Sequence, residues 1–168
     1  AYYQGRLSAN PVKHLDPIGS FVVPTIFYML GGFIIGWAKP VPYNPYNLRN
    51  QKWGEAIVAG AGPLSNLLIA ILFGLFIRFS GSGSEALLTA ASTIVFINVL
   101  LAVFNLIPIP PLDGSKLLFS IIPQKAYALR TFLEKNALIF LLIYIFFLWK
   151  IILPVVYIIF SLITGIGF

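Results

Sequence analysis

The chain has 168 residues, of which 59% are hydrophobic, 10% are charged and none is cysteine, and its mean hydropathy is +0.93. A soluble domain is about half apolar and about a quarter charged, so this composition excludes an ordinary soluble domain and indicates a polytopic membrane protein without disulfides or thiolate metal sites. The formal net charge of +6 comes from basic residues that lie between apolar runs, which is typical of membrane topology signals rather than of a nucleic-acid surface.

Residues 1–17 are polar and rich in turn-forming residues, which predicts a loop. Within it, Asp16 followed by Pro17 predicts the start of a helix, because proline is favoured at the first helical position. The single histidine, His14, lies two residues before Asp16. Taken alone, this spacing favours a structural hydrogen bond in the loop over a metal ligand.

The first membrane element is predicted at residues 18–46, and two topologies fit it. The apolar run either crosses the bilayer, or enters it as a helix and returns as a strand-like segment around residues 31–46. Basic residues flank the run on both sides, which favours the re-entrant alternative because both flanks then lie in the cytoplasm. An extended segment at this depth needs backbone partners, and a substrate strand would provide them.

Residues 55–79 and 85–107 each predict a membrane span, for which about 20 apolar residues are needed. The first span contains the sequence GAGPLSN at residues 60–66, whose small residues allow close helix packing and whose Pro63 predicts a kink. Asn66 predicts an interhelical hydrogen bond. The turn between the spans carries few charges and residues 108–135 are basic, so we expect the turn outside and the basic segment in the cytoplasm.

The stretch FNLIPIPPLDG at residues 104–114 is the strongest indication of a functional site. Its three prolines predict irregular backbone, which is tolerated at membrane depth only inside protein or beside a wet cavity. A carboxylate such as Asp113 at or near that depth is costly and therefore indicates function. The alternative is a loop at the membrane surface, in which Asp113 caps the next helix.

Residues 136–168 are nearly all apolar and predict a helical hairpin or two short, tilted spans. Together the segments predict one all-α membrane domain over residues 1–168, with roughly four to five membrane segments.

Four motifs, in order along residues 5–114, resemble the site-2 protease family of intramembrane zinc metalloproteases. They are GRLSANP with HLDPIG at residues 5–19, GWAKPVP at 36–42, GAGPLSN at 60–66, and NLIP with LDG at 105–114. The resemblance implies that Asp113 is a ligand of the catalytic zinc and that Asn105 donates to the oxyanion. An oxygen ligand and an amide donor both suit amide hydrolysis.

The resemblance also assigns the remaining motif residues. The segment at residues 36–42 matches a strand-like element that holds substrate in extended form. Its predicted substrate-binding residues are Gly36, Trp37, Lys39, Pro40 and Val41. Asn66 and His14 match residues that support the site rather than bind the metal.

The chain departs from the family pattern because it contains no His-Glu-x-x-His motif, which provides the other two zinc ligands and the general base. In the family, that helix lies just upstream of the segment matching residues 1–19. The resemblance therefore implies a zinc site completed from outside this chain, and a chain that is inactive by itself. The alternative is a catalytically inactive membrane scaffold or substrate-binding protein of the same fold.

The implied partners are a transmembrane protein substrate, the lipid bilayer and the upstream zinc-ligand helix, with no nucleic acid. The implied location is a bacterial or archaeal plasma membrane.

Overall fold

A computed structural model describes residues 15–31, 48, 50, 53–80, 83–122 and 127–167. The chain divides into two compact units, Ala1–Asn47 and Leu48–Phe168. All regular elements are helical, and no strand occurs among the described residues, so the predicted all-α class is confirmed for that part of the chain.

In the first unit, a helix starts where the sequence predicts it. Asp16 Oδ1 accepts hydrogen bonds from the backbone N–H groups of Ile18 and Gly19, at 2.9 and 3.0 Å. These N–H groups have no partner within a first helical turn, so the carboxylate stabilises the helix start. A π-helical turn, Ile18–Val22, then leads into α1, Val23–Gly31. The re-entrant, strand-like element predicted around residues 31–46 lies outside the described residues beyond the end of α1.

The second unit contains two long helices, α2, Gly54–Phe79, and α3, Glu85–Asn105. Both are long and apolar enough to cross a membrane, by length and composition. They match the predicted spans, although α3 ends at Asn105 rather than at residue 107. The predicted total of four to five membrane segments is not confirmed. The remaining elements are α4, Asp113–Ile121; α5, Tyr127–Lys135; α6, Ala137–Ile143; a π-helical turn, Tyr144–Leu148; and α7, Trp149–Thr164.

Residues 137–164 form one helical run, which differs from the hairpin or two short spans that their length suggests. The backbone is right-handed helical at both junctions, at Tyr144 and at Leu148. The run contains no Gly, Asn or Asp, the residues that most readily reverse a chain. It ends at Gly165, whose φ of +78° is the left-handed conformation that glycine adopts without a Cβ clash.

The core of the second unit is built mainly from side chains of α3 and of the helical run at residues 137–164. On α3 the buried residues Ala91, Val95, Val99 and Ala102 recur at helical spacing and so form one face. The other faces of α2 and α3 expose large apolar side chains such as Leu68.

Candidate functional site

The connection between α3 and α4 is irregular, as its three prolines predict. Two consecutive turns shape it: the N–H of Ile109 donates to the carbonyl oxygen of Ile107 at 2.8 Å, and that of Leu112 donates to Ile109 at 3.0 Å. The connection then closes at Gly114, where a Cβ would overlap the carbonyl oxygens of Leu106 and Ile107. A glycine is therefore required for the start of α4 to lie against the end of α3.

Asp113 is the first residue of α4, and its side chain is about one third exposed, at 33%. Its Oδ1 lies 3.2 Å from Lys116 Nζ. Its Oδ2 faces α2, because a Cβ added to Gly62 would lie 3.6 Å from it. One turn further along α4, Leu117 faces Gly60, at 3.8 Å from a Cβ placed there. The structure thus brings together two of the predicted motifs, residues 60–66 and residues 105–114.

Asp113 lies well inside the length of α2. Gly62 is eight residues beyond Gly54, the first residue of α2, which corresponds to about 12 Å along the helix axis. The start of α2 is marked instead by an ion pair, in which Arg130 of α5 lies 3.9 Å from Glu55. The first turn of α4 has no side-chain capping hydrogen bond, so capping does not account for the carboxylate of Asp113.

The two predicted asparagines, Asn66 and Asn105, lie on different helices and are held differently. Asn105, the last residue of α3, donates from Nδ2 to the carbonyl oxygen of Leu101 at 2.9 Å, so its amide bonds to its own helix. Asn66 lies one turn beyond Gly62 on the same face of α2. No partner for its amide is found within the described part of the chain, including the interhelical partner predicted for it.

The other predicted site residues lie outside the described residues. These are His14, Gly36, Trp37, Lys39, Pro40 and Val41.

A zinc ion bound by protein usually has three or four protein ligands. In residues 15–31, 53–80, 83–122 and 127–167, no three His, Cys, Asp or Glu side chains lie close enough to hold a metal. Asp113 provides one carboxylate, and the ammonium group of Lys116 lies beside one of its oxygens. The described residues therefore do not fit a complete zinc site, although the carboxylate fits a single position of one.

The sequence motifs single out neither Lys116 nor Tyr144, yet both lie near this region. A lysine three residues after an aspartate on a helix shares its face, so the spacing does indicate the Lys116–Asp113 pair. Tyr144 is 1% exposed, and its ring lies 5.2 Å from that of Phe104, the residue before Asn105. The buried hydroxyl of Tyr144 has no hydrogen-bond partner among the described residues.

Comparison with known proteins gives one family and several bacterial relatives. Residues 77–149 match the model of peptidase family M50, a range that includes Asn105 and Asp113. A Bacillus subtilis (strain 168) protein named "Putative zinc metalloprotease YwhC" is 35% identical over 148 residues, which are 83% of this chain and 64% of that protein. Proteins with the same description, named Rip2, from Mycolicibacterium smegmatis and Mycobacterium tuberculosis are 33% and 30% identical over 112 residues.

Those 112 residues are 66% of this chain and 42% of each Rip2 protein. The chain therefore spans less than two thirds of the length of these relatives. No solved structure matches the chain at a significant level.

Proposed function

Because residues 77–149 belong to peptidase family M50, the site-2 protease family, we propose that this chain is part of an intramembrane zinc metalloendopeptidase that cuts transmembrane substrates. The family match and the 35% identity to a relative confirm the resemblance seen in the motifs. The observation that carries the proposal is the place of Asp113. Its carboxylate lies against a glycine of α2, inside the matched range and about two helical turns from the start of that helix.

The proposed environment is the lipid bilayer of a bacterial or archaeal plasma membrane. Two helices are apolar enough to span it, and their outward faces expose side chains such as Leu64, Leu68 and Phe79. In water these faces would form a large apolar surface, whereas lipid tails solvate them without cost. The named relatives are bacterial proteins, which supports the proposed membrane.

We assign Asp113 one position on the metal, with the remaining ligands coming from a His-Glu-x-x-His segment outside these 168 residues. The chain itself has one histidine and no cysteine, so it lacks the pair of histidines that the family motif supplies to the zinc. A zinc ion would polarise the scissile carbonyl and acidify a water molecule. The chain contributes the space beside Oδ2, which Gly62 leaves open, and the ion pair with Lys116, which holds Oδ1.

The other predicted residues take the roles that the resemblance implies. Asn105 donates to the oxyanion once its amide is released from the carbonyl of Leu101, while Asn66 and His14 support the site. The residues that hold the extended transmembrane substrate are Gly36, Trp37, Lys39, Pro40 and Val41. No part of the proposed machinery binds nucleic acid.

The test is the zinc content of the protein as its gene encodes it, purified in detergent and measured by mass spectrometry of the metal. We expect about one zinc per protein, lost in Asp113→Ala together with cleavage of a membrane-anchored reporter. The matched control is Glu134→Gln, which changes an exposed acid on α5 and should alter neither readout. Full zinc content in Asp113→Ala would exclude Asp113 as a ligand.

A second candidate is a catalytically inactive scaffold or substrate-binding protein of the same fold. It is favoured by the Lys116–Asp113 pair, because an ammonium at 3.2 Å already neutralises the carboxylate without a metal. This candidate predicts a zinc ratio near zero in the gene's full product. It also predicts that Asp113→Ala leaves the binding of a transmembrane partner unchanged.

A further inference from the structure

A groove of about 680 Å³ lies between α3 and α7, at the opposite end of α3 from Asn105 and Asp113. One wall carries an acid and two hydroxyls of α3, Glu85, Thr89 and Ser92, which recur at helical spacing. The volume is within the range of about 300–1,000 Å³ that is typical of sites for small ligands.

The groove lies where α7 packs against α2 and where three small side chains of α3, Thr89, Ser92 and Thr93, leave space beside α7. A Cβ on Gly74 of α2 would overlap the side chain of Ile163 of α7, so the glycine allows these two helices to touch. On the other side, Phe96 of α3 packs against Tyr157 and Phe160 of α7, with ring centroids 5.7 and 6.2 Å apart. These three rings close the inner end of the groove and make it apolar.

Charge is confined to the outer end of the groove. Glu85, in the first turn of α3, is the one charged residue in the described lining, and it has no ion pair with another described residue. Arg78, near the end of α2, lies beside the edge of the groove. A Cβ on Gly165 would be 3.3 Å from Arg78 Nε, and the next residue, Ile166, lines the groove. The carboxylate of Glu85 and the guanidinium of Arg78 therefore both lie at the outer end of the groove, close to its apolar interior.

The length of the groove favours a lipid acyl chain over a transmembrane helix as its occupant. From Glu85 to Phe96 the lining extends over eleven residues of α3, or about 16 Å. The hydrocarbon core of a bilayer is about 30 Å thick, so the groove matches one leaflet. The groove would contact a spanning helix along only half of the helix's length. One acyl chain would fill the groove from the headgroup level to the bilayer centre.

We propose that this groove binds a phospholipid whose headgroup carries both a primary ammonium and a phosphate, the phosphatidylethanolamine class. The ammonium group binds Glu85, the phosphate faces Arg78, and one acyl chain lies against Phe96, Tyr157 and Phe160. Both charged contacts lie at the edge of the apolar region, where ionic contacts with headgroups are stronger than in bulk water. The site is separate from Asp113 and does not depend on peptidase activity.

The experiment is native mass spectrometry of the protein as its gene encodes it, in detergent with added phosphatidylethanolamine or phosphatidylglycerol. We expect one retained phosphatidylethanolamine, favoured several-fold over the anionic lipid, with the preference lost in Glu85→Gln. Ser92→Phe fills the groove and should remove the retained lipid. Glu134→Gln, an acid outside the groove, serves as the control and should behave as wild type.

Thr89→Leu narrows the same wall at an exposed position and replaces Ser92→Phe if that variant fails to fold. Equal retention of both lipids by the wild type, or undiminished phosphatidylethanolamine in the filled groove, would overturn the proposal. These 168 residues contain no cysteine, so Ser92→Cys, made after any cysteine elsewhere in the gene product is replaced, provides a single cross-linking position. Cross-linking from the thiol of the Ser92→Cys variant to a second transmembrane helix in native membranes would assign the groove to a protein partner instead.

Discussion

The α2–α4 contact and the α3–α7 groove lie at opposite ends of the second unit, and glycine has opposite effects in them. Beside the α2–α4 contact, Gly114 brings the start of α4 against the backbone carbonyls of Leu106 and Ile107, just after α3, and Gly62 of α2 leaves space next to the carboxylate of Asp113. At the α3–α7 groove, Gly74 draws α7 onto α2, and the space next to α3 stays open.

The difference lies in what each glycine meets. Gly114 faces backbone carbonyl oxygens of the α3–α4 connection, whereas Gly74 faces mainly a side chain, that of Ile163 on α7. A backbone contact holds a side chain such as Asp113 in one place, which suits a metal ligand. A side-chain contact can adapt, which suits a groove that accepts a flexible chain.

The largest effect should come from Gly114→Ala. The added methyl group would overlap the carbonyl oxygens of Leu106 and Ile107, and the start of α4 would have to move. We expect a loss of about 3 kcal/mol in the free energy of unfolding, the upper end for overpacking, measured by denaturant titration in mixed micelles.

Gly62→Ala is the matched control for Gly114→Ala, because its Cβ would be in ordinary contact at 3.6 Å from Asp113 Oδ2. Its free energy of unfolding should stay within about 1 kcal/mol of wild type. A loss in Gly114→Ala no larger than that in Gly62→Ala would mean that the backbone contact of Gly114 with Leu106 and Ile107 is as adaptable as the groove.

Gly74→Ala should have the next largest effect, a loss of about 1–2 kcal/mol. Its Cβ overlaps the Cγ2 methyl group of Ile163, whose χ1 is stiff in a helix, and would lie 3.4 Å from the Ile163 backbone, so α7 would have to shift slightly. Gly60→Ala, whose Cβ would have no neighbour closer than 3.8 Å, is the control.

A double-mutant cycle sharpens the Gly74 prediction. Ile163→Ala removes the side chain that the new methyl group meets, so it should offset most of the loss caused by Gly74→Ala. Strict additivity of the two losses would show that α2 and α7 do not touch at this point.

Local sequence patterns predict the elements that depend on local chemistry. The helix start at Asp16, the spans at α2 and α3, and the irregular connection before Asp113 all follow from capping, apolar length and proline content. These features need no knowledge of distant contacts, because hydrogen bonds within a few residues produce them.

Features that depend on contacts between distant residues, or on two local patterns that disagree, are harder to predict from the sequence. The helical run at residues 137–164 is too long for one perpendicular span, yet it contains no Gly, Asn or Asp and stays helical through Pro154. The family motif gives Asn105 a role but not its bond to Leu101, which is one turn away in the same helix. Nothing in the sequence pairs Gly74 with Ile163, because their contact depends on how α2 and α7 cross.

Tyr144→Phe should have a smaller effect than the glycine substitutions, and it should raise the free energy of unfolding rather than lower it. Its buried hydroxyl has no hydrogen-bond partner among the described residues, so it pays a desolvation cost that phenylalanine avoids. We expect a gain of about 1 kcal/mol in the free energy of unfolding, whereas Tyr144→Ala, which leaves a cavity beside Phe104, should lose about 3–5 kcal/mol. A loss of stability in Tyr144→Phe would show that the hydroxyl has a hydrogen-bond partner.

The smallest effect should come from Glu55→Gln. Glu55 lies in the first turn of α2, the helix that faces Asp113. Arg130 lies 3.9 Å from Glu55 but only 2.8 Å from Glu134, and its side chain is 42% exposed, so water screens the longer pair. We expect a loss below about 0.5 kcal/mol, which disappears as the salt concentration approaches 1 M because the Debye length falls to about 3 Å. A loss well above 1 kcal/mol that persists in high salt would mean that the pair docks α5 onto the start of α2. The start of α2 would then be held by charge as well as by its packing against α4 at Gly60 and Gly62.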